Sequence, residues 1–154
     1  MAKVNPADLR RRARMVALQA LFAVDVRGSL EEISLEWLTE EDPLPVSGVA
    51  FCQTLLEGVK EHQPSLDAVI EKYAPAWPVA LLSIVDRNIL RIALFELLCD
   101  INTPPKTAVN EAVEVAKVFG SDSSARFVNG VLGTVMTALE SGELTLVQPV
   151  SEGR

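Results

Sequence analysis

Apolar residues recur at helical spacing along almost all of this chain, and short groups of proline, glycine and serine separate the segments that carry them. Residues three and four apart lie on one face of a helix, because successive residues turn by about 100°. No segment shows the sustained period-two alternation of a half-buried strand between hairpin turns. The pattern therefore predicts an all-α fold.

About seven helices are expected, joined by the short loops typical of helical bundles. The first has a cap residue and a proline at its start, Asn5 and Pro6, and should end near Val26. Pro64 should end the third helix, so that Ser65 caps a separate fourth helix. The segments expected to be helical are 6–26, 34–38, 47–63, 66–74, 81–98, 106–119 and 123–140.

Positive charge is concentrated at the start of the first helix, although the net charge of the chain is −7. Residues 1–20 carry a net charge of +4, so the other 134 residues carry −11. Guanidinium groups bind phosphate through a planar fork and stack on bases, which favours a site for nucleic acid. The alternative is a solvated helix end paired with the acidic segment 31–42. The arginines concerned are Arg10, Arg11, Arg12 and Arg14.

A second candidate region surrounds the turn at residues 119–124, before the last expected helix. Lys117 and Arg126 flank this turn, and Phe127 follows directly. Helix N-terminal amides, small hydroxyls, a basic group and an aromatic ring together suit a phosphate and a stacked base. The competing interpretation places Phe127 in the hydrophobic core.

The sequence offers few residues suited to catalysis or metal binding. Cys52 and Cys99 lie in apolar helical patterns, and the single histidine, His62, stands at the polar end of a helix. These residues have no metal-ligand spacing and form no nucleophile–base pair. We therefore expect no enzyme activity, no metal and no cofactor. No apolar run reaches the roughly 18 residues of a membrane-spanning helix, and we expect a cytoplasmic protein.

Three segments of the chain read RRRARMVALQALFAVD, VDRNILRIALFEL and TPPKTAVNEAVEVAKVFGSDSSARFVNGVL. In this order and at these separations they resemble the NusB family of bacterial transcription antitermination factors, over roughly residues 9–139. The resemblance implies a single domain, 1–154, with two perpendicular helical subdomains at about 5–75 and 76–141. Residues 142–154 are expected to form a loose tail.

The resemblance also implies a function. NusB-like proteins bind the boxA element of nascent ribosomal RNA leaders, and bind it best as a heterodimer with NusE, a ribosomal protein of the small subunit. The heterodimer joins other Nus factors on RNA polymerase, suppresses premature termination and assists rRNA maturation. We therefore expect an RNA-binding adaptor for a single-stranded boxA element.

The turn and the resemblance together indicate which residues carry this function. Those expected at the RNA are Arg10, Arg11, Arg12, Arg14, Tyr73, Lys117, Arg126 and Phe127. Those expected at the partner are Leu18, Phe22 and Asp86. Relatives often have an acid where this chain has Ser123, and its absence removes a negative charge near the RNA. Relatives also often have a tyrosine where this chain has Phe22, whose side chain lacks the hydroxyl.

Two other functions stay open at this point. The chain could be a protein-interaction bundle whose arginines bind an acidic partner. It could also be an accessory domain of an rRNA-modifying enzyme, because by family resemblance the same fold forms the N-terminal part of some rRNA cytosine methyltransferases. The apolar stripe that contains Leu18 and Phe22 could serve NusE or a second copy of this chain.

Overall fold

The computed structural model describes residues 5–27, 38–74, 78–99 and 102–146. Within these residues the chain forms five α-helices, one 3-10 turn and no strand, which confirms the predicted all-α fold. The elements are α1 (Pro6–Arg27), α2 (Val46–Tyr73), the 3-10 turn (Val79–Leu81), α3 (Ile84–Leu98), α4 (Pro105–Phe119) and α5 (Ser124–Ser141).

The helix count differs from the expected seven for two reasons. The expected helix at 34–38 falls on residues that, apart from Leu38, lie outside the described part of the chain. The expected third and fourth helices form one continuous helix, α2, because the chain stays helical through Pro64.

Pro64 does not end α2 for two reasons. The carbonyl group that loses its hydrogen bond is open to water, and the buried face of the helix continues past the proline. Proline removes the N–H that would bond to the Lys60 carbonyl group, but both residues are exposed, so water can reach that carbonyl. The apolar stripe also continues across the proline. Val59 and Leu66, two turns apart, are both 0% exposed. Burial on one face therefore outweighs the lost hydrogen bond.

The chain divides into two compact units, Met1–Glu61 and His62–Arg154. This division lies inside α2, and the subdomain boundary near residue 75 that the resemblance implies stays a prediction. The last turns of α2 belong to the second unit because Asp67 pairs with Arg91 of α3. The two hydrogen bonds of this pair, from Arg91 Nε and Nη2, measure 2.7 and 2.9 Å.

In the first unit, α1 begins at the predicted cap. The Asn5 Oδ1 atom accepts a hydrogen bond from the Ala7 backbone N–H at 2.9 Å. A Cβ atom at Gly48 of α2 would lie 2.9 Å from Leu9 Cδ1, so the glycine permits a close helix contact. The alanine-rich face of α1 is buried at Ala13, Val16, Ala17 and Ala20.

The second unit is built around α3, which is buried without interruption from residue 88 to residue 98. α4 and α5 pack against α3 and against each other. The buried polar side chains between residues 88 and 98 are paired, since Arg91 also donates to Asn88 and Glu96 accepts from Thr103 at 2.8 Å. Ser83 caps the helix through its Oγ atom, which accepts from the Asp86 N–H at 3.0 Å.

The start of the predicted loose tail is held in place. Gly142 ends α5 at φ 81°, a left-handed conformation that glycine adopts with little strain. The Leu144 N–H then donates to the Ala138 carbonyl at 3.1 Å. Residues 142–144 therefore have defined hydrogen bonds, and residues 147–154 lie outside the described part of the chain.

Candidate nucleic-acid interface

Two arginines of α1 share one aromatic ring. The guanidinium carbons of Arg10 and Arg14 lie 4.9 and 5.1 Å from the centre of the Phe51 ring. These distances are within the range of cation–π contacts. Arg14 is only 3% exposed, whereas Arg10 is exposed. The Phe51 ring therefore supports a guanidinium group that solvent or a ligand can reach.

Arg12 is held by the loop that precedes α2. It donates to the carbonyl groups of Asp42 and Pro43 at 2.9 and 3.3 Å, and it forms an ion pair with the Asp42 carboxylate at 3.1 Å. Asp42 belongs to the acidic segment that the alternative interpretation named. In the free protein, Arg12 is therefore paired with the acidic segment, as the alternative interpretation expects. Arg11 is half-buried. The sequence had not singled out Phe51, although its position beside the inward stripe of α2 was a usable signal.

The turn between α4 and α5 is tightly closed by serines. The Ser121 N–H donates to Ser124 Oγ at 2.9 Å, and Ser124 is 1% exposed. A Cβ atom at Gly120 would lie 2.8 Å from the Ala116 carbonyl oxygen and closer still to Ser124. Close packing, and not a left-handed backbone, therefore requires glycine here. Lys117 pairs with Glu114 at 2.9 Å on the exposed side of α4.

A cleft of about 630 Å³ lies in the second unit, and we call it the α3–α5 cleft. Residues 81–83 and Asp86 line it from the start of α3 and the preceding turn. Ser123, Arg126 and Phe127 line it from the start of α5. Arg126 is exposed and Phe127 is half-buried, so the ring is neither a core residue nor a free surface residue. The contribution of residues 81–83 was not visible in the sequence.

Asp86 brings an unpaired acceptor to this cleft. Its Oδ1 atom is buried and has no hydrogen-bond partner among the described residues. Asp86 was expected to face a protein partner, but in the structure it shares a cleft with Arg126 and Phe127. Residues expected at the RNA and one residue expected at the partner therefore lie together.

Tyr73 is engaged within the second unit. It is 8% exposed, and its hydroxyl donates to Glu143 Oε2 at 2.6 Å. This hydrogen bond raises the pKa of Tyr73, and burial and the negative charge of Glu143 act in the same direction. Lys72 Nζ lies 5.4 Å from the centre of the tyrosine ring. The sequence did not indicate Glu143, which stands 70 residues from Tyr73.

The two α1 residues expected at a partner differ in exposure. Leu18 is 1% exposed, so its side chain is buried within this chain. Phe22 is 41% exposed, and Val26, one turn further on, is 60% exposed. An apolar surface therefore continues along the end of α1 from Phe22 and does not include Leu18.

The described residues contain no group of three or more histidine, cysteine or acidic side chains placed to hold a metal ion. Cys52 is buried, and burial raises the pKa of its thiol to about 11, which favours the unreactive protonated form. No helix in the described ranges is long and apolar enough to cross a membrane.

The fold and these groups define an all-helical protein with basic and aromatic side chains around a cleft. Residues 11–137 match the model of the NusB family. The chain is 49% identical over 139 residues to the transcription antitermination protein NusB of Chloroflexus aggregans, covering 89% of this chain and 93% of that protein. It is 50% identical over 133 residues to NusB of Roseiflexus sp., covering 85% and 94%. The chain belongs to the NusB family.

Solved structures agree with this assignment. NusB of T. maritima has a TM-score of 0.72 and 32% identity, over 93% of this chain and all of that one. A chain in a crystal structure of the antitermination factors NusB and NusE in complex with dsRNA has a TM-score of 0.75 and 26% identity. That match covers 85% of this chain and 98% of the other.

Proposed function

We propose that this protein is a cytoplasmic, non-enzymatic RNA-binding adaptor for transcription antitermination. It binds the boxA element of nascent rRNA leaders as a heterodimer with NusE and joins RNA polymerase through the other Nus factors. Relatives about half identical in sequence are named transcription antitermination proteins. The observation that carries the proposal is the grouping of Arg126 and Phe127 at one cleft in a member of this family.

Contacts to the RNA come from both units. Arg10, supported by Phe51, and Arg11 neutralise phosphates in the first unit. Arg126 and Lys117 do so in the second unit, while Phe127 stacks on a base. Arg12 joins them only if the RNA replaces its exposed contact with Asp42. Buried Arg14 contributes to RNA binding by holding the Phe51 ring in place. Tyr73 contributes through its hydrogen bond to Glu143, which holds the segment around that residue.

Contacts to NusE come from the exposed end of α1. Phe22 and Val26 present apolar area there, and Leu18 supports them from the interior. The net charge of −7 suits a basic ribosomal protein, because complementary charge speeds association and excludes acidic partners. The same apolar surface serves a homodimer when the partner is absent.

The test is fluorescence anisotropy with a labelled leader RNA that contains boxA, titrated with and without NusE. A scrambled RNA of the same composition is the control. We expect tighter binding to the boxA RNA and a further gain with NusE. Equal binding of the two RNAs in both conditions would contradict the proposal.

A protein-interaction module is the second candidate, and the contacts of Arg12 with Asp42 and Pro43 favour it. Asp42→Asn distinguishes the two functions, because it removes the ion pair between Arg12 and the Asp42 carboxylate without changing the size of the side chain. The RNA adaptor predicts a gain in boxA affinity of about twofold to fivefold when Arg12 loses this ion pair, in line with the small worth of an exposed ion pair. An unchanged RNA affinity would favour the interaction module.

A further inference from the structure

The guanidinium group of Arg12 has three oxygen partners in the loop before α2. Its Nη2 atom lies 2.9 Å from the carbonyl oxygen of Asp42, 3.3 Å from the carbonyl oxygen of Pro43 and 3.1 Å from Asp42 Oδ2. Two of these oxygens belong to the backbone, and the third belongs to a carboxylate. One short segment of the chain therefore supplies several acceptors to an arginine that is expected at the RNA.

These acceptors resemble the oxygens of a phosphate group. A guanidinium group binds carboxylate and phosphate through the same planar fork of N–H donors. Nη2 carries two of these donors, and they are already shared among three oxygens. A phosphate that approaches Nη2 must displace oxygens of the loop, and the charge of Asp42 repels a phosphate that approaches from any side. The loop and an RNA phosphate therefore compete for Arg12.

The loop is always close to Arg12, but it is weakly held. Arg12 and Asp42 belong to one compact unit, so the competition is intramolecular and does not depend on protein concentration. The side chains of the pair are 34% and 82% exposed, and exposed ion pairs contribute little free energy. Glu40 and Glu41 are exposed and extend the negative charge of the loop. These contacts can occupy Arg12 in the free protein and still yield to RNA.

We propose that residues 40–43 form an autoinhibitory loop, which occupies Arg12 in the free protein and leaves it when RNA binds. The inference rests on the proposed RNA-binding function and adds a regulation of the same site. Every polyanion that uses Arg12 must first break the contacts of the loop, so the loop lowers RNA affinity. Any event that neutralises the Asp42 carboxylate, or draws it away from Arg12, raises RNA affinity.

A double-mutant cycle between Arg12→Gln and Asp42→Asn tests the loop, with the affinity for labelled boxA RNA as the readout. In the unmodified protein, Asp42→Asn should raise affinity by about twofold to fivefold, because the exposed ion pair is lost. In Arg12→Gln protein, the same substitution should change affinity by about 1.5-fold or less, the effect of one distant and screened charge. Circular dichroism checks that each variant is folded.

Glu41→Gln is the matched control, because it removes one negative charge from the exposed residue next to Asp42. This substitution should raise affinity by about 1.5-fold or less, and equally with and without Arg12. The gain from Asp42→Asn should also shrink as ionic strength rises, since salt weakens an exposed ion pair in the free protein.

The outcomes separate the loop from the proposed function. A gain from Asp42→Asn that requires Arg12 and exceeds the gain from Glu41→Gln supports the autoinhibitory loop. Equal gains with and without Arg12, or no gain at all, overturn it. If Arg12→Gln leaves affinity unchanged even in Asp42→Asn protein, Arg12 does not contact the RNA, and the loop is overturned while RNA binding through other groups stands. Failure of the unmodified protein to prefer boxA over scrambled RNA overturns the proposed function itself.

Discussion

The arginine-rich start of α1, residues 10–14, and the α3–α5 cleft both carry groups that suit a nucleic acid, but they are built differently. In α1 the charged groups are neighbours in sequence but lie in different environments. Arg14 is buried against Phe51, Arg12 contacts a loop, and Arg10 is exposed. In the cleft, Asp86 and Phe127 stand 41 positions apart and line one cavity. A cluster in sequence therefore shows where charge is concentrated, whereas the tertiary structure decides which groups can act together.

The largest expected effect comes from removing an ion pair in the unit that contains the α3–α5 cleft. Arg91→Ala would leave Asp67 without the bidentate pair that holds the end of α2 to α3. Loss of one partner from a fully buried pair typically costs about 3–5 kcal/mol. Because 25% of the Asp67 side chain is exposed, we expect a decrease in the free energy of unfolding at the lower end of this range, about 3 kcal/mol. Urea unfolding followed by circular dichroism measures it.

The matched control for Arg91 is Arg12→Ala in the first region. The Arg12 pair is exposed, with 82% of the Asp42 side chain accessible, so its loss should cost about 1 kcal/mol or less. Equal costs for the two variants would show that the difference in burial between the two ion pairs does not control stability.

Phe127→Ala tests the cleft as an RNA contact. Loss of one stacked base is worth about 1–3 kcal/mol, so boxA affinity should fall by about fivefold or more. Val118→Ala removes an apolar side chain from an exposed position of α4 and should leave affinity unchanged. A similar loss in both variants would mean that Phe127 acts through the fold and not by stacking.

Arg10→Gln tests the arginine-rich start as a phosphate contact. The slope of log affinity against log salt should become shallower by about 0.7, the value for one phosphate of a single strand. Arg27→Gln removes the same charge from the exposed last turn of α1 and should keep the slope. An unchanged slope in Arg10→Gln would remove this residue from the RNA interface.

The smallest effect concerns Tyr73, the only tyrosine of the chain, whose ionisation can be followed by absorbance. Because its folded pKa is raised above the ordinary value of 10.0, the stability that it contributes is present below pH 10 and is lost as pH rises through the folded pKa. The titration midpoint should fall in Glu143→Gln and fall further in Glu143→Ala. Identical midpoints in all three proteins would contradict a role for Glu143.

Local features of the fold were predictable because they depend on a few adjacent residues. Asn5 and Pro6 start α1 as expected, and Ser83 begins α3 after a short turn. The prediction that Pro64 ends a helix was wrong, because the free-energy cost of the proline is smaller than the free energy gained by burying residues on both sides of it. Leu18 lay on the expected partner stripe, but it is buried with the alanine-rich face, and periodicity alone could not separate the two environments.

By itself, the sequence determined that the chain is helical, where its charge lies and which family it belongs to, since spacing, composition and motif order are properties of the linear chain. The tertiary structure alone decided that Arg14 is buried on Phe51, that Tyr73 bonds to Glu143, and that Asp86 and Phe127 line one cleft. These contacts join residues that are distant in sequence. Their geometry follows from the packing of whole helices, which no local pattern encodes.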